Sequence, residues 1–248
     1  MFIQEIHKFI LDILFPVRCI ACKKEGFWLC EACFLRIKTK EEHFCGICEK
    51  MITPAGRTCF ACKNISSKQA GRNSLDALIV ASSYAQFPIA SAIHLFKYRL
   101  IADLHIPFGK LLTSALQKTE LPLPDIIVSV PLHKRRLRWR GFNQSALLGQ
   151  YLANNLLPQD IILFDENILI RNRYTLPQMG ITDYSSRKQN IAGAFSLSPN
   201  ADVKNKTILL VDDVATTGWT LFECARILKK GGAKEVFAIV IARQETKS

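Results

Sequence analysis

Residues 207–220, reading T-I-L-L-V-D-D-V-A-T-T-G-W-T, constrain the fold more than any other stretch of this chain. The four consecutive apolar residues 208–211 form the short run expected of a strand buried on both faces. Asp212 and Asp213 follow at once, and the small-residue turn Ala215-Thr216-Thr217-Gly218 then opens a helical stretch near Trp219. A strand–turn–helix of this kind presents unpaired backbone N–H groups and the positive helix end to an anion. Thr216, Thr217 and Thr220 add hydroxyl donors, and Gly218 lets the backbone approach a ligand closely. Two carboxylates beside such a cradle would repel a bare phosphate, but they suit sugar hydroxyls or a metal. The pattern predicts a site for a ribose 5-phosphate.

The second constraint is cysteine. Of nine cysteines, eight fall in four C-x-x-C pairs: Cys19/Cys22, Cys30/Cys33, Cys45/Cys48 and Cys59/Cys62. Residues 1–16 are partly apolar, but Glu5 and Asp12 interrupt them and no small-residue cleavage site follows, so an amphipathic helix is expected rather than a signal peptide. No apolar run reaches transmembrane length. The chain is therefore expected to be cytoplasmic, where C-x-x-C pairs read as metal ligands rather than disulfides. Each knuckle supplies two ligands, so two knuckles close one tetrahedral zinc site. Linear pairing leaves 7 and 10 residues between the pairs of each site, short loops that close at little entropic cost. Interleaved pairing also satisfies the spacing. With eight thiols available, His43 is expected to be a spectator, and the ninth cysteine, Cys224, to be a buried apolar residue of the helix after the phosphate loop. A segment this small lacks the core to fold unaided, so metal is expected to staple it, leaving a surface for a protein partner.

The net charge of +12 is unevenly spread. Residues 1–65 carry 10 Lys/Arg against 7 Asp/Glu, and eight thiolates with two Zn²⁺ would bring that segment near neutrality. Residues 66–248 hold the rest of the basic excess, beside the phosphate loop, where anionic ligands are expected.

Between these segments, residues 63–74 read as a polar linker, 75–84 as a strand, 88–99 and 106–118 as helices, and 125–130 as a second buried strand. The sequence H-K-R-R-L-R-W-R-G-F-N-Q follows at 133–144 and reads as a basic loop at the C-terminal end of a parallel strand, the edge at which α/β sheets bind ligands. Its cations, with Trp139 and Phe142 interleaved, also suit a nucleic-acid backbone and stacked bases. Residues 171–195, polar and glycine-containing, read as a flap over the site.

Residues 207–220 closely resemble the phosphoribosyl pyrophosphate (PRPP) motif of type I phosphoribosyltransferases. The whole chain is similar to the ComF family of competence-associated, phosphoribosyltransferase-like proteins. The C-x-x-C knuckles carry that resemblance, with F-K-Y-R at 96–99, R-G-F-N-Q at 140–144, and the set Thr175, Gln178, Arg187, Asn190, Ala194 and Phe195. It implies an α/β fold: a type I phosphoribosyltransferase-like parallel sheet flanked by helices over 75–248, preceded by a helix and double zinc-ribbon module over 1–65. It further implies that Asp212 and Asp213 hold the ribose 2′- and 3′-hydroxyls, and that Ala215, Thr216, Thr217, Gly218, Trp219 and Thr220 hold the 5′-phosphate. Pyrophosphate, with Mg²⁺, would meet Lys134 and Arg135, supported by Arg140 and Gly141, while Arg171, Arg173, Arg187 and Lys188 close from the flap and Asn190 positions a substrate group. The function implied is PRPP binding, with phosphoribosyl transfer and pyrophosphate release, in bacterial DNA uptake alongside single-stranded DNA and a helicase-like partner. The alternative is a non-catalytic single-stranded-DNA adaptor on the same fold.

Overall fold

A computed structural model describes residues 16–64, 74–157, 159–175 and 189–244. The expected N-terminal helix, most of the linker and the flap residues Gln178, Arg187 and Lys188 lie outside the described residues. In chain order the elements are helices α1 (Glu31–Phe34) and α2 (Phe60–Lys63), strand β1 (Ala77–Ser83), and helices α3 (Ile89–Tyr98) and α4 (His105–Gln117). Strand β2 (Ile126–Ser129), helices α5 (Lys134–Arg140) and α6 (Gln144–Asn155), and the short strands β3 (Leu163–Phe164), β4 (Leu169–Arg171) and β5 (Phe195–Leu197) come next. Strand β6 (Thr207–Ala215), helix α7 (Trp219–Lys230) and strand β7 (Glu235–Arg243) complete the order.

Five strands form a parallel sheet in the order β1-β7-β6-β2-β3, while β4 and β5 make a separate antiparallel pair. Successive side chains of a strand face opposite sides, and here both sides are covered. Ile127, Leu209, Val211, Phe237 and Ile239 pack with Phe108, Leu112, Leu148 and Leu152 of α4 and α6. Ile126, Val128, Ile208, Leu210 and Val240 pack on the other side with Leu221, Phe222, Ala225 and Leu228 of α7. The chain leaves β2 toward β3 but leaves β6 toward β7, so two adjacent strands are continued in opposite directions. The two connections leave the C-terminal ends in opposite directions, which opens a crevice at the switch point of the sheet.

The cysteine segment straddles the β1 edge, one half on each face. Cys19, Leu29, Cys30, Cys33 and Ile37 join the α4/α6 cluster, while Cys45, Ile47 and Cys62 join the α7 cluster. Backbone bonds run along the edge: the Lys40 amide donates to Ala81 O, the Thr58 amide to Asp76 O, and Arg57 forms an antiparallel bridge with Ala77. Gly56 comes so close to β1 that a Cβ there would lie 2.1 Å from Leu78 O. An exposed edge strand invites pairing with another chain, and this one is covered.

Two readings need revision. Within the basic stretch expected as a loop, residues Lys134–Arg140 form a helix, α5, because that part lacks Gly and Pro and is capped at both ends. The His133 side chain accepts from the Arg135 amide at its start, and Gly141, at φ 77°, ends it. The strand that carries the acids near its C-terminal end runs on to Ala215, the first residue of the expected turn, since pairing with β7 continues to that position.

Candidate active site

The crevice exists because β6 outruns β2. Pairing with β2 ends at Val211 opposite Ser129, whereas pairing with β7 runs on to Ala215 opposite Arg243. Asp212 and Asp213 therefore leave the β2 side of the sheet open above them. Asp212 Oδ1 accepts from Ser145 Oγ at 2.8 Å and from the Asp213 amide at 2.9 Å. Asp213 Oδ1 accepts from the Val214 amide at 2.7 Å and pairs with Lys97 Nζ at 2.9 Å. Lys97 comes from the last turn of α3 and Ser145 from the first turn of α6. Burial, and then the neighbouring Asp213 charge, push the Asp212 carboxyl up to about 7, although Lys97 and Ser145 act against that shift.

The turn after the acids has the form of an anion cradle. Gly218 stands at φ 79° as the N-cap of α7, and a Cβ there would sit 3.0 Å from the Phe222 ring. Thr216 and Thr220 line the cavity. Thr217 is buried, and its Oγ1 has no hydrogen-bond partner among the described residues. Ala215 and Trp219 belong instead to the α7 hydrophobic cluster, where the indole meets the Phe222 ring edge-on at 5.9 Å.

A cationic wall faces the acids across the same cavity of about 520 Å³. Arg135, Arg136, Trp139 and Arg140 line it, as residues one turn apart on a single face of α5 must. Lys134 lies outside the lining and is exposed, because the helix turns that position away. Tyr174 anchors the wall: Arg135 and Arg136 lie over its ring at 5.2 and 5.5 Å, and Arg136 also donates to Thr175 O at 2.8 Å. Arg171 enters from β4 and donates to Thr175 Oγ1 at 2.5 Å. The Nε groups of Arg140 and Arg171 are buried without a partner among the described residues. Burial, followed by the charge of Arg136, lowers the Arg171 guanidinium to about 10, so it stays charged at neutral pH. Buried cations with unspent donors suit a polyanion.

Arg173 lies outside the lining; its guanidinium donates to the carbonyls of Gln189, Asn190 and Ala192 and so ties two parts of the flap together. The R-G-F-N-Q segment is largely a splice between two helices. Gly141 ends α5, Phe142 packs on Phe96 at 6.0 Å, and Asn143 caps α6 while donating to Val130 O. Gln144 donates to Phe96 O at 3.0 Å and accepts from Arg140, which seats α3 and its Lys97 beside the acids. Arg136, Lys97, Ser145 and Tyr174 were not among the site residues expected from sequence. Lys97 and Ser145 do stand inside or beside the F-K-Y-R and R-G-F-N-Q segments, and that adjacency was the available signal.

The eight paired cysteines fall into two groups by linear pairing, Cys19/Cys22/Cys30/Cys33 and Cys45/Cys48/Cys59/Cys62. Within each group the ligand atoms lie within 4.8 Å of one another. The Cys22–Cys30 and Cys48–Cys59 sulfur distances are 3.5 and 3.9 Å. Zinc held by four thiolates at about 2.3 Å needs sulfur spacings of about 3.8 Å, so both groups fit the ion. Amides point at the sulfurs as well: Cys30 N donates to Cys19 Sγ and Cys59 N to Cys45 Sγ. Cys224 is fully buried in the α7 cluster, as expected.

Two family models agree with this architecture. The phosphoribosyl transferase domain family matches residues 144–248, and the double zinc ribbon domain family matches residues 10–63. Competence protein F of Haemophilus influenzae is 32% identical over 240 residues, covering 92% of this chain and 98% of that protein. The DNA utilization protein YhgH of Escherichia coli K12 is 32% identical over 229 residues, covering 89% and 94%. Among solved structures, the glutamine PRPP amidotransferase of B. subtilis aligns with 60% of this chain and 30% of its own, at 20% identity and a TM-score of 0.40. Among the described residues no helix is long and apolar enough to cross a membrane.

Proposed function

This chain belongs to the ComF family of competence-associated, phosphoribosyltransferase-like proteins, and we propose that its cavity binds PRPP and transfers the phosphoribosyl group with release of pyrophosphate. One observation carries the reading: Asp212 and Asp213, with Thr216 and Thr220 of the turn that follows them, share one cavity with a wall of four arginines. In this reading the ribose hydroxyls meet Asp212 and Asp213, the 5′-phosphate meets Thr216, Thr217, Gly218 and Thr220, and pyrophosphate meets Arg135, Arg136, Arg140 and Arg171. A nucleophile bonds to C1 of the ribose as the C1–O bond to pyrophosphate breaks, and the bonding electron pair leaves on pyrophosphate. The ring becomes cationic on the way, beside the carboxylates, while the arginines hold the departing charge. Mg²⁺, if bound, would be held beside Asp212 and Asp213 and would supply further neutralisation of the pyrophosphate charge. Lys97 and Ser145 hold the two carboxylates in place and keep them from recoiling from each other. We assign this activity to DNA uptake or utilisation inside the cell, in line with the names of the relatives.

Calorimetric titration of Mg·PRPP tests the reading. Saturable binding to the zinc-loaded wild type, lost in the Asp212→Asn/Asp213→Asn variant, supports it; no binding to a folded wild type overturns it.

A second reading, a single-stranded-DNA adaptor, is favoured by the outer side of α5. Lys134 and Arg138 are exposed there, and Trp139 is 60% exposed at the cavity mouth. Backbone binding of that kind weakens steeply with salt and does not need Asp213.

A further inference from the structure

The geometry points to Arg243 as a positioning residue that ties the phosphate loop to the second cysteine group, so that metal held by Cys45, Cys48, Cys59 and Cys62 is linked to anion binding at Thr216–Thr220. Arg243 is the last residue of β7 and is only 8% exposed. Its guanidinium works in three directions. Nε donates to Thr216 O at 3.2 Å, NH1 to Gly46 O at 2.9 Å, and NH2 to Glu49 Oε1 at 2.5 Å. Gly46 lies inside the Cys45–Cys48 knuckle, and Glu49 follows it directly.

The knuckle end of this link is fixed by its own backbone. Glu49 is held in the left-handed region at φ 59°, with its amide donating to Cys45 O at 2.9 Å. A Cβ on Gly46 would lie 2.7 Å from Leu78 Cβ, so the knuckle seats directly on β1. The acceptors that Arg243 needs are therefore set by the fold of the knuckle, which four thiolates around a metal would hold together.

At the other end the bond falls on the carbonyl of Thr216. In a planar trans peptide the carbonyl and the following N–H point in opposite directions. Holding Thr216 O toward Arg243 thus turns the Thr217 N–H away from it. The Gln244 amide donates to Ala215 O at 2.8 Å and fixes the preceding peptide, so two consecutive peptide planes at the start of the loop are set from β7. The first cysteine group packs on the opposite face of the sheet, with the α4/α6 cluster, and offers no comparable bridge among the described residues.

The test compares full-length, zinc-loaded wild type with Arg243→Met, Arg243→Lys, Cys48→Ser/Cys59→Ser and Cys22→Ser/Cys30→Ser. It reads amide hydrogen exchange over residues 215–220 without ligand, zinc content, and affinity for Mg·PRPP. The expectation is exchange faster by about tenfold in Arg243→Met and in the second-group variant, with Arg243→Met keeping two zinc ions and the first-group variant near wild type. The conservative Arg243→Lys should recover part of the protection. Unchanged loop exchange in Arg243→Met, or equal acceleration by loss of either cysteine group, overturns the linkage. The affinity arm alone rests on the PRPP reading: absence of PRPP binding to the wild type would remove that reading, while the exchange arm still decides the linkage.

Discussion

Lys97 Nζ lies 2.9 Å from Asp213 Oδ1, with the two side chains only 17% and 9% exposed. One ammonium thus serves two adjacent carboxylates, since Asp212 is the next residue and Lys97 also draws its carboxyl pKa downward. The backbone that carries Lys97 is held in turn, because Gln144 donates to Phe96 O and also accepts from Arg140 of the cationic wall. Acid pair, lysine and arginine wall form one network.

Removing the lysine should therefore cost more than a surface charge would. Lys97→Met leaves the buried Asp213 carboxylate and the half-buried Asp212 beside it without their countercharge, a loss of roughly 3 kcal/mol at pH 8. Near pH 5 the pair can take up a proton and the loss should shrink. Urea unfolding at both pH values measures this, and an equal loss at both would mean that the carboxylates are not coupled to Lys97.

The raised Asp212 carboxyl has its own pH signature. An acid whose folded pKa lies above its unfolded one binds more protons when folded. Its contribution to stability therefore declines as pH rises from the ordinary 3.8 to about 7, and the deficit persists above that. Asp212→Asn keeps an oxygen for Ser145 but removes the titration. Calorimetry should find the variant more stable than wild type at pH 8 and no different at pH 4, while the proposed PRPP binding should be lost.

Thr217 separates stability from binding. Its buried hydroxyl has no partner among the described residues, so Thr217→Val should leave the melting temperature unchanged or slightly raised. A lost hydrogen bond to a charged phosphate is worth about 1.5–3 kcal/mol, or roughly tenfold to hundredfold in Mg·PRPP affinity. A variant that melts early yet binds normally would show that the hydroxyl serves the fold instead.

Metal removal should act through the β1 edge. Zinc analysis is expected to find two ions per chain, and one in Cys48→Ser/Cys59→Ser. Stripping both with a chelator should uncover β1, whose edge the cysteine segment covers, and light scattering should then report self-association. A stripped chain that stays monomeric would show that the cover does not depend on metal.

The sequence by itself determined whatever is built from neighbours in the chain. The 207–220 motif is legible because its strand, acids, turn and helix start are contiguous, and the Asp213 and Val214 amides even bond to the preceding side chain. The four C-x-x-C pairs are legible for the same reason, whereas their linear grouping, which the spacing left open against an interleaved one, came from the structure. Segments 88–99 and 106–118 lie close to α3 and α4 because helical periodicity is local. The basic stretch reads as a loop because a short helix of like charges has no apolar periodicity, and its helical phase, set by the caps at His133 and Gly141, puts Lys134 off the wall and Arg136 on it. Only the tertiary structure decided which distant groups surround the acids. Ser145 meets Asp212 across 67 residues, and Arg243 meets Gly46 across 197. Such pairs leave no periodic trace: each needs one side chain in one place, and that place exists only after β6 has outrun β2 and the knuckle has closed on β1.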